Sequence, residues 1–263
     1  MVEILKDKYD AVKYLLDYVA GDKIFAYSII ENRQSGKVYV DNEYEIKRAF
    51  FWHNCGYSIL AAEKICDESI AFVMDLFNGK HPSSGKGQVL HVSNSDLNHK
   101  IEQKIVKDKS IRVGKRLHYR FNRSRYAKKE FPIPSEYRIE QINYPLYQKI
   151  KGNVTPAFSW ISSDEFINNG VGFCVIGEEE ILSWGFTWFI GNGQADIGVE
   201  TPPKYRKNGL AKIIASAMID YYLENDLEPV WTCVDKNIIS QKLAISLGFE
   251  LVGGNTYYYR LER

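Results

Sequence analysis

Residues 195–211, ADIGVETPPKYRKNGLA, decide how the rest of the chain is read. Residues 196–201 have strand composition, Pro202-Pro203 turns the chain, and apolar or aromatic residues then recur at Leu210, Ile213, Ile214, Ala217, Met218, Tyr221 and Tyr222. That recurrence is one face of an α-helix. The connection between them is basic and brings Gly209 to the helix start. A helix start leaves its first N–H groups without intrahelical partners and carries the positive end of the helix dipole, so it favours an anion. Gly209 has no Cβ to hold a phosphate away from the backbone. The stretch therefore predicts a phosphate or pyrophosphate cradle. Its N–H groups come from Lys207, Asn208, Gly209, Leu210 and Ala211, with Arg206 and Lys207 adding charge.

Working outward, residues 229–234 read as a short strand, followed by Asp235-Lys236-Asn237 and a second helix that ends at Leu247-Gly248-Phe249. Strands over 250–252 and 256–261 close the chain. Upstream, a short helix over 162–168 has Ser162 or Ser163 as its N-cap. Strands over 172–176 and 181–189 form a hairpin through Gly177-Glu178-Glu179-Glu180, and Gly191-Asn192-Gly193 turns into the central strand. Gly152-Asn153 and Pro156 punctuate the chain before this region, which divides it into domains 1–150 and 151–263.

Arg206-x-x-Gly209-x-Ala211 after a strand, with Asn237-x-x-Ser240 and Leu247-Gly248-Phe249 further on, resembles the two acyl-CoA-contacting segments of GNAT acetyltransferases. Within that superfamily, GVGFCVIGEEEILS (170–183) and IGVETPPKYR (197–206) are most similar to the zwittermicin-resistance type, which also carries a long N-terminal region. The resemblance implies an α+β chain whose C-terminal GNAT fold is a mixed, mostly antiparallel central sheet flanked by helices. It implies an N-acetyltransferase that uses acetyl-CoA, with the pyrophosphate at 206–211 and the pantetheine arm along the main chain near Val199 and Thr201. Asn237 and Ser240 would make a second contact. The acceptor would be a primary amine of a small polyamine-like or aminoglycoside-like molecule, acetylated by direct transfer in a ternary complex. Two positions depart from the family's pattern: Lys207 stands where a Gly is frequent, and Ala244 stands where many members carry a Tyr.

Acetyl transfer to an amine needs a group to take the ammonium proton. Glu200 is the first candidate base and Asp196, on the same strand face by alternation, the second. Either is equally readable as a salt-bridged strand-end carboxylate. Ser240 is a weak donor toward the leaving thiol, or a helix residue touching the cofactor. An N–H near Val199 or Thr201 would polarise the thioester carbonyl. Alternation puts Trp184, Phe186 and Trp188 on one face with Leu182, as core first and acceptor wall second. The Ala244 substitution also keeps open a non-catalytic acyl-CoA-binding or regulatory module.

The rest of the chain sets bounds. A net charge of +1, with 45% hydrophobic and 25% charged residues, gives no global pull toward nucleic acid or an anionic membrane. MVEILKDKYD is not a signal peptide, and no apolar run approaches the ~20 residues that span a bilayer. Cys55, Cys66, Cys174 and Cys233 form no CxxC pair and read as reduced core thiols of a cytoplasmic protein. Residues 112–129 are rich in Lys and Arg with interleaved Tyr119, Phe121 and Tyr126, which gives an RNA-binding alternative beside the commoner solvated basic face. GKHPSSGKG (79–87) lacks the spacing of a nucleotide loop and reads as a flexible polar loop, and His81, His91, His99 and His118 lack metal-ligand spacing.

In the N-terminal region the pattern predicts helices over 8–19, 67–78 and 97–107, and strand-like runs over 23–30, 37–40 and 49–60, separated by turn-prone Ser35-Gly36 and Asn54-Cys55-Gly56, with further strands over 88–92, 119–121 and 137–142, the last two around Phe131-Pro132-Ile133-Pro134. This α/β region echoes the C-terminal order loosely, as a degenerate second GNAT-like unit would, and is expected to wall the acceptor site. The sequence sets neither the acceptor nor the oligomeric state.

Overall fold

The computed structural model describes residues 1–80, 88–105, 108, 110–126 and 134–262. Residues 81–87 of the predicted polar loop, the end of the predicted helix at 106–107, residues 127–129 of the basic stretch and most of the proline-marked turn lie outside the described residues.

Two units are distinguished, Met1–Leu117 with Gly253–Arg263, and His118–Val252. In the first, β1 (Val2–Glu3) and a 3-10 segment, Lys6–Tyr18, precede α1 (Ile24–Ile30), β2 (Gly36–Val40), β3 (Arg48–His53) and β4 (Tyr57–Ala62). Then come α2 (Asp67–Phe77), β5 (Val89–Val92), α3 (Ser95–Ile105) and β6 (Ile111–Phe121), which leads into the second unit. The second unit holds β7 (Tyr137–Gln141), α4 (Tyr144–Lys149), α5 (Pro156–Ser159), α6 (Ser163–Asn169), β8 (Gly172–Gly177), β9 (Glu180–Gly191) and β10 (Gln194–Glu200). A 3-10 turn, Pro203–Tyr205, leads to α7 (Leu210–Glu224), β11 (Glu228–Val234), α8 (Ile238–Ser246) and the start of β12 (Phe249–Leu261).

Both units are built the same way. β2, β3 and β4 are antiparallel neighbours, and β5 returns parallel to β4 because α2 carries the chain back. β8, β9 and β10 are likewise antiparallel, and β11 returns parallel to β10 after α7. The result is the expected α+β architecture of mixed, mostly antiparallel sheet flanked by helices. The echo that the sequence shows only loosely is a repeated order of three strands, helix, strand and helix.

The units do not follow the division at 150. β7 pairs with β8 from Tyr137↔Gly177 to Gln141↔Phe173, which draws the segment before residue 150 into the second unit. β12 pairs with β5 from Tyr257↔Val92 to Arg260↔Val89, so its later residues complete the first unit's sheet. β12 is also one strand where the sequence predicts two. Gly253-Gly254 reads as a turn, yet glycine also sits in an extended strand at a modest cost.

Two further differences have local causes. Residues 24–30 form a helix instead of a strand, and every residue of IFAYSII in it is buried. An apolar run with no polar face carries no period, so helix and strand are indistinguishable in it. The first predicted helix is a 3-10 segment whose buried Tyr9, Val12 and Leu15 recur every third residue, the period of a 3-10 turn.

In the second unit α7 packs Leu210, Ile213 and Ile214 on Val175 and Leu182. Gly185 of β9 is what admits the helix at this distance. A Cβ there would overlap Ile214 and come 3.3 Å from the Met218 Cγ. Gly185→Ala is expected to destabilise the protein by about 1–3 kcal/mol through overpacking. A lowered urea midpoint with an unchanged m-value checks this. Among the described residues no helix is long and apolar enough to cross a membrane. None of the four cysteines is in a disulfide; Cys174 and Cys233 are buried, and burial pushes the Cys174 thiol up to about 12.

Candidate active site

Two irregularities of the second unit meet at one residue of β10. β10 and β11 pair in parallel from Gln194↔Glu228 to Asp196↔Val230, and there the register ends, although β10 continues to Glu200 and β11 to Val234. The strands part at Asp196. On the other side of β10, the register with β9 shifts between Ala195↔Ile190 and Ile197↔Thr187. Trp188 and Phe189 together therefore oppose the single residue Asp196, a β-bulge, which bends the strand and re-aims its side chains. Fork and bulge coincide at one carboxylate.

Alternation along β10 sorts its side chains by face. Val199 packs on the α7 cluster, so Asp196, Gly198 and Glu200 lie on the face turned away from α7. Asp196 is 2% exposed and its Oδ2 accepts a hydrogen bond from Thr232 Oγ1 at 3.1 Å. Thr232 stands on the parted stretch of β11 and is half-buried. Glu200 is tied down differently: its Oε2 accepts from the Val154 N–H at 2.6 Å, while Trp184 Nε1 donates to the Val154 carbonyl at 2.7 Å. Both side chains clamp the segment before α5. Gly152 is required beside them, because a Cβ there would meet Glu200 and come 2.7 Å from the Trp184 ring. Ser183 hydrogen-bonds the Glu200 carbonyl at 3.1 Å and Thr201 Oγ1 at 2.8 Å, fixing the end of the strand.

The turn after β10 is closed by Arg206 Nε donating to the Thr201 carbonyl at 2.9 Å. Arg206, Lys207, Asn208 and Gly209 are exposed, Leu210 is buried and Ala211 half-buried. Gly209 is the N-cap of α7 with φ +76°, the left-handed region, and α7 has no side-chain cap. Nothing lies within 4 Å of where a Cβ on Gly209 would stand. Lys207, at the position where the family pattern frequently has Gly, adopts φ +69°. A non-glycine residue held there stores strain, which concentrates at functional turns.

α8 has a filled cap. The Asn237 side chain accepts from the Ser240 N–H at 3.1 Å, and Ser240 Oγ accepts from Trp231 Nε1 at 3.0 Å. Both predicted cofactor-contacting side chains thus have structural bonds here. Ala244 is fully buried.

A sequence profile of the GNAT acetyltransferase family matches residues 15–258. The chain belongs to that GNAT acetyltransferase family. It is therefore an acyltransferase, and the match takes in the N-terminal region as well as the stretch that carries the motifs. The chain is 26% identical over 262 residues to the uncharacterized N-acetyltransferase YdfB of Bacillus subtilis strain 168, covering 98% of this chain and 97% of that one. In fold it is similar to the GCN5-related N-acetyltransferase-like protein of Streptococcus suis 89/1591, with a TM-score of 0.75 at 20% identity over 97% of this chain and 98% of that one. A tandem GNAT protein from the clavulanic acid biosynthesis pathway superposes with a TM-score of 0.65 at 10% identity, covering 98% and 96% of the two chains. The two similarly built units of this GNAT chain fit that tandem arrangement.

Of the aromatic set, Trp184 and Phe186 are buried and Trp188 half-buried. Leu182 does not share their face. The register of β8 with β9 shifts between Val175↔Ser183 and Ile176↔Ile181, and this bulge turns Leu182 onto the α7 cluster. The basic stretch is engaged in part where described, while Arg112, Arg120 and Arg123 are exposed. Tyr119 and Phe121 are buried, Arg125 pairs with Glu250 at 2.8 Å, and Tyr126 OH donates to Asp220 at 2.9 Å. In the first unit Arg116 donates to Tyr57 OH at 3.2 Å. Rings held this way are not open platforms for stacking bases. Thr232, Val154 and Ser183 escaped the sequence reading because each acts through a partner that is distant in the chain.

Proposed function

We propose that the protein moves an acetyl group from acetyl-CoA to a primary amine of a small molecule by direct transfer in a ternary complex. The observation that carries this reading is the parting of β10 from β11 at Asp196, in the same unit as the uncapped, glycine-started helix α7. The turn fits the cofactor's pyrophosphate: the open space above Gly209 and the absence of a side-chain cap leave the first N–H groups of α7 available to an anion. Main-chain groups of Lys207, Asn208, Gly209, Leu210 and Ala211 would hold it, with Arg206 and Lys207 supplying positive charge. The parted stretch of β10 offers main chain at Val199 and Thr201 to an extended arm, and the start of α8 at Asn237 and Ser240 borders the other strand. When bound, acetyl-CoA supplies the acetyl thioester.

The proton of the acceptor ammonium has a route on this chain. Thr232 Oγ1 takes it as its own proton passes to Asp196 Oδ2, to which it already donates. Asp196 is preferred to Glu200 because the latter is committed to the Val154 N–H.

Among the described residues, the first unit repeats the architecture without such a cradle at the corresponding helix start. α2 starts at Cys66, whose side chain and Ser69 cap one another, and its first turn carries Asp67 and Glu68. Arg48, the cation beside it, is engaged by Asp41, Glu68 and the Cys66 sulfur. Carboxylates at a helix start repel a pyrophosphate. Calorimetric titration with acetyl-CoA is therefore expected to give saturable binding at one per chain. Amines should then release free thiol. No binding by the folded protein would sink the reading; two equivalent sites would overturn the assignment of a single cradle.

A further inference from the structure

The turn between β10 and α7 is held by a side chain from another part of the sheet. Glu180 is the first residue of β9 and pairs with Gly177 across the tight connection Glu178-Glu179. Arg138 Nη1 donates to the Glu178 carbonyl at 3.2 Å, which fixes the hairpin end. From there Glu180 Oε2 accepts from Lys204 Nζ at 2.8 Å and from the Tyr205 hydroxyl. Lys204 and Tyr205 belong to the 3-10 turn that immediately precedes Arg206.

Tyr205 is the hub of this brace. Its ring packs against the α7 cluster, Lys204 Nζ lies 4.5 Å from the ring centroid, and its carbonyl accepts from Asn208 Nδ2 at 3.4 Å. Beyond Tyr205 the chain passes through two left-handed residues, Lys207 at φ +69° and Gly209 at φ +76°, before α7 begins. Such a backbone persists only where its surroundings over-determine it. Arg206 Nε on the Thr201 carbonyl ties the turn to the end of β10, and Glu180 ties it to the β8–β9 hairpin.

Charge alone argues against a carboxylate here, since it repels an anion bound on the turn. What Glu180 supplies is order. A turn already held in its binding shape loses less freedom when the ligand arrives.

We propose that Glu180 is a positioning residue for the cofactor cradle: through Lys204 and Tyr205 it sets the main chain from Lys207 to Ala211 for a pyrophosphate before one binds. This rests on the acetyl-CoA reading above.

The test is calorimetric titration of the wild type, Glu180→Ala, Glu180→Gln and Tyr205→Phe with acetyl-CoA and with free coenzyme A. Alanine and glutamine remove the same charge, but only glutamine keeps an oxygen to accept the Tyr205 hydroxyl. Glu180→Ala is expected to raise the Kd for both ligands by about fivefold, by the same factor for each because they share the pyrophosphate. Glu180→Gln should stay within about twofold of the wild type or bind more tightly. Tyr205→Phe, which leaves every charge in place, should weaken binding by about threefold, and adding it to Glu180→Ala should cost less than the product of the two. The Glu180 and Lys204 side chains are more than half exposed, so an unchanged melting temperature is expected throughout. Equal affinities for Glu180→Ala and Glu180→Gln would overturn the proposal, because charge alone would then explain both. So would an unchanged Kd in Tyr205→Phe, or a loss confined to acetyl-CoA. Failure of the wild type to bind either ligand would instead remove the reading on which the proposal rests.

Discussion

Gly209→Asp is expected to weaken acetyl-CoA binding by roughly 100-fold or more, while Gly209→Asn keeps it within about tenfold. The pair separates charge from conformation. Gly209 has φ +76°, where any side chain is strained, but Asn and Asp tolerate that region better than other residues. Neither meets an obstacle, since nothing lies within 4 Å of the Cβ position. The two variants thus share shape and backbone cost, and differ by one negative charge at the start of α7. Calorimetric titration of both, beside the wild type, reads the difference. Equal losses would mean that backbone strain governs the turn and that no anion sits on it.

Asp196→Asn is expected to lower kcat by about 100- to 1,000-fold with acetyl-CoA affinity unchanged. Asn retains an oxygen to accept the Thr232 hydroxyl, so the local geometry survives while the capacity to take a proton is lost. Glu200→Gln serves as the contrast. Its Oε2 is bonded to the Val154 N–H, a bond that the amide oxygen of Gln reproduces, so turnover should change by less than about threefold. A reversal, with Glu200→Gln inactive and Asp196→Asn active, would move the base to the strand end and make the Asp196–Thr232 pair a structural tie.

The C-terminal elements were legible because each carries a local signal. Apolar spacing marks α7, Ser162 caps α6 through the Glu165 N–H, and Gly248, with φ +87°, ends α8. Gly209 was legible for the same reason, because a positive φ at a helix start has a residue type of its own. What escaped is what depends on register. Leu182 falls on the opposite face from the one that alternation predicts because one extra residue in β9 inverts the alternation, and nothing in ILSWGF marks where that residue falls. The same limit hid the bulge at Trp188–Phe189 and the Asp196–Thr232 bond, since pairing across strands is set by the whole sheet. In the first unit, α1 failed for want of any period, and the shared order of elements stayed faint because the two units align by topology more than by residue.

The placement of β12 has a consequence for how the protein comes to be made. β5 waits for a strand that leaves the ribosome only after the whole second unit has been synthesised. During translation the first unit therefore presents an open sheet edge at Val89–Val92, a template for pairing with another nascent chain. Expression yield should respond to chaperone supply more than final stability would imply. Cutting the gene at its midpoint would leave each half without strands that the other encodes.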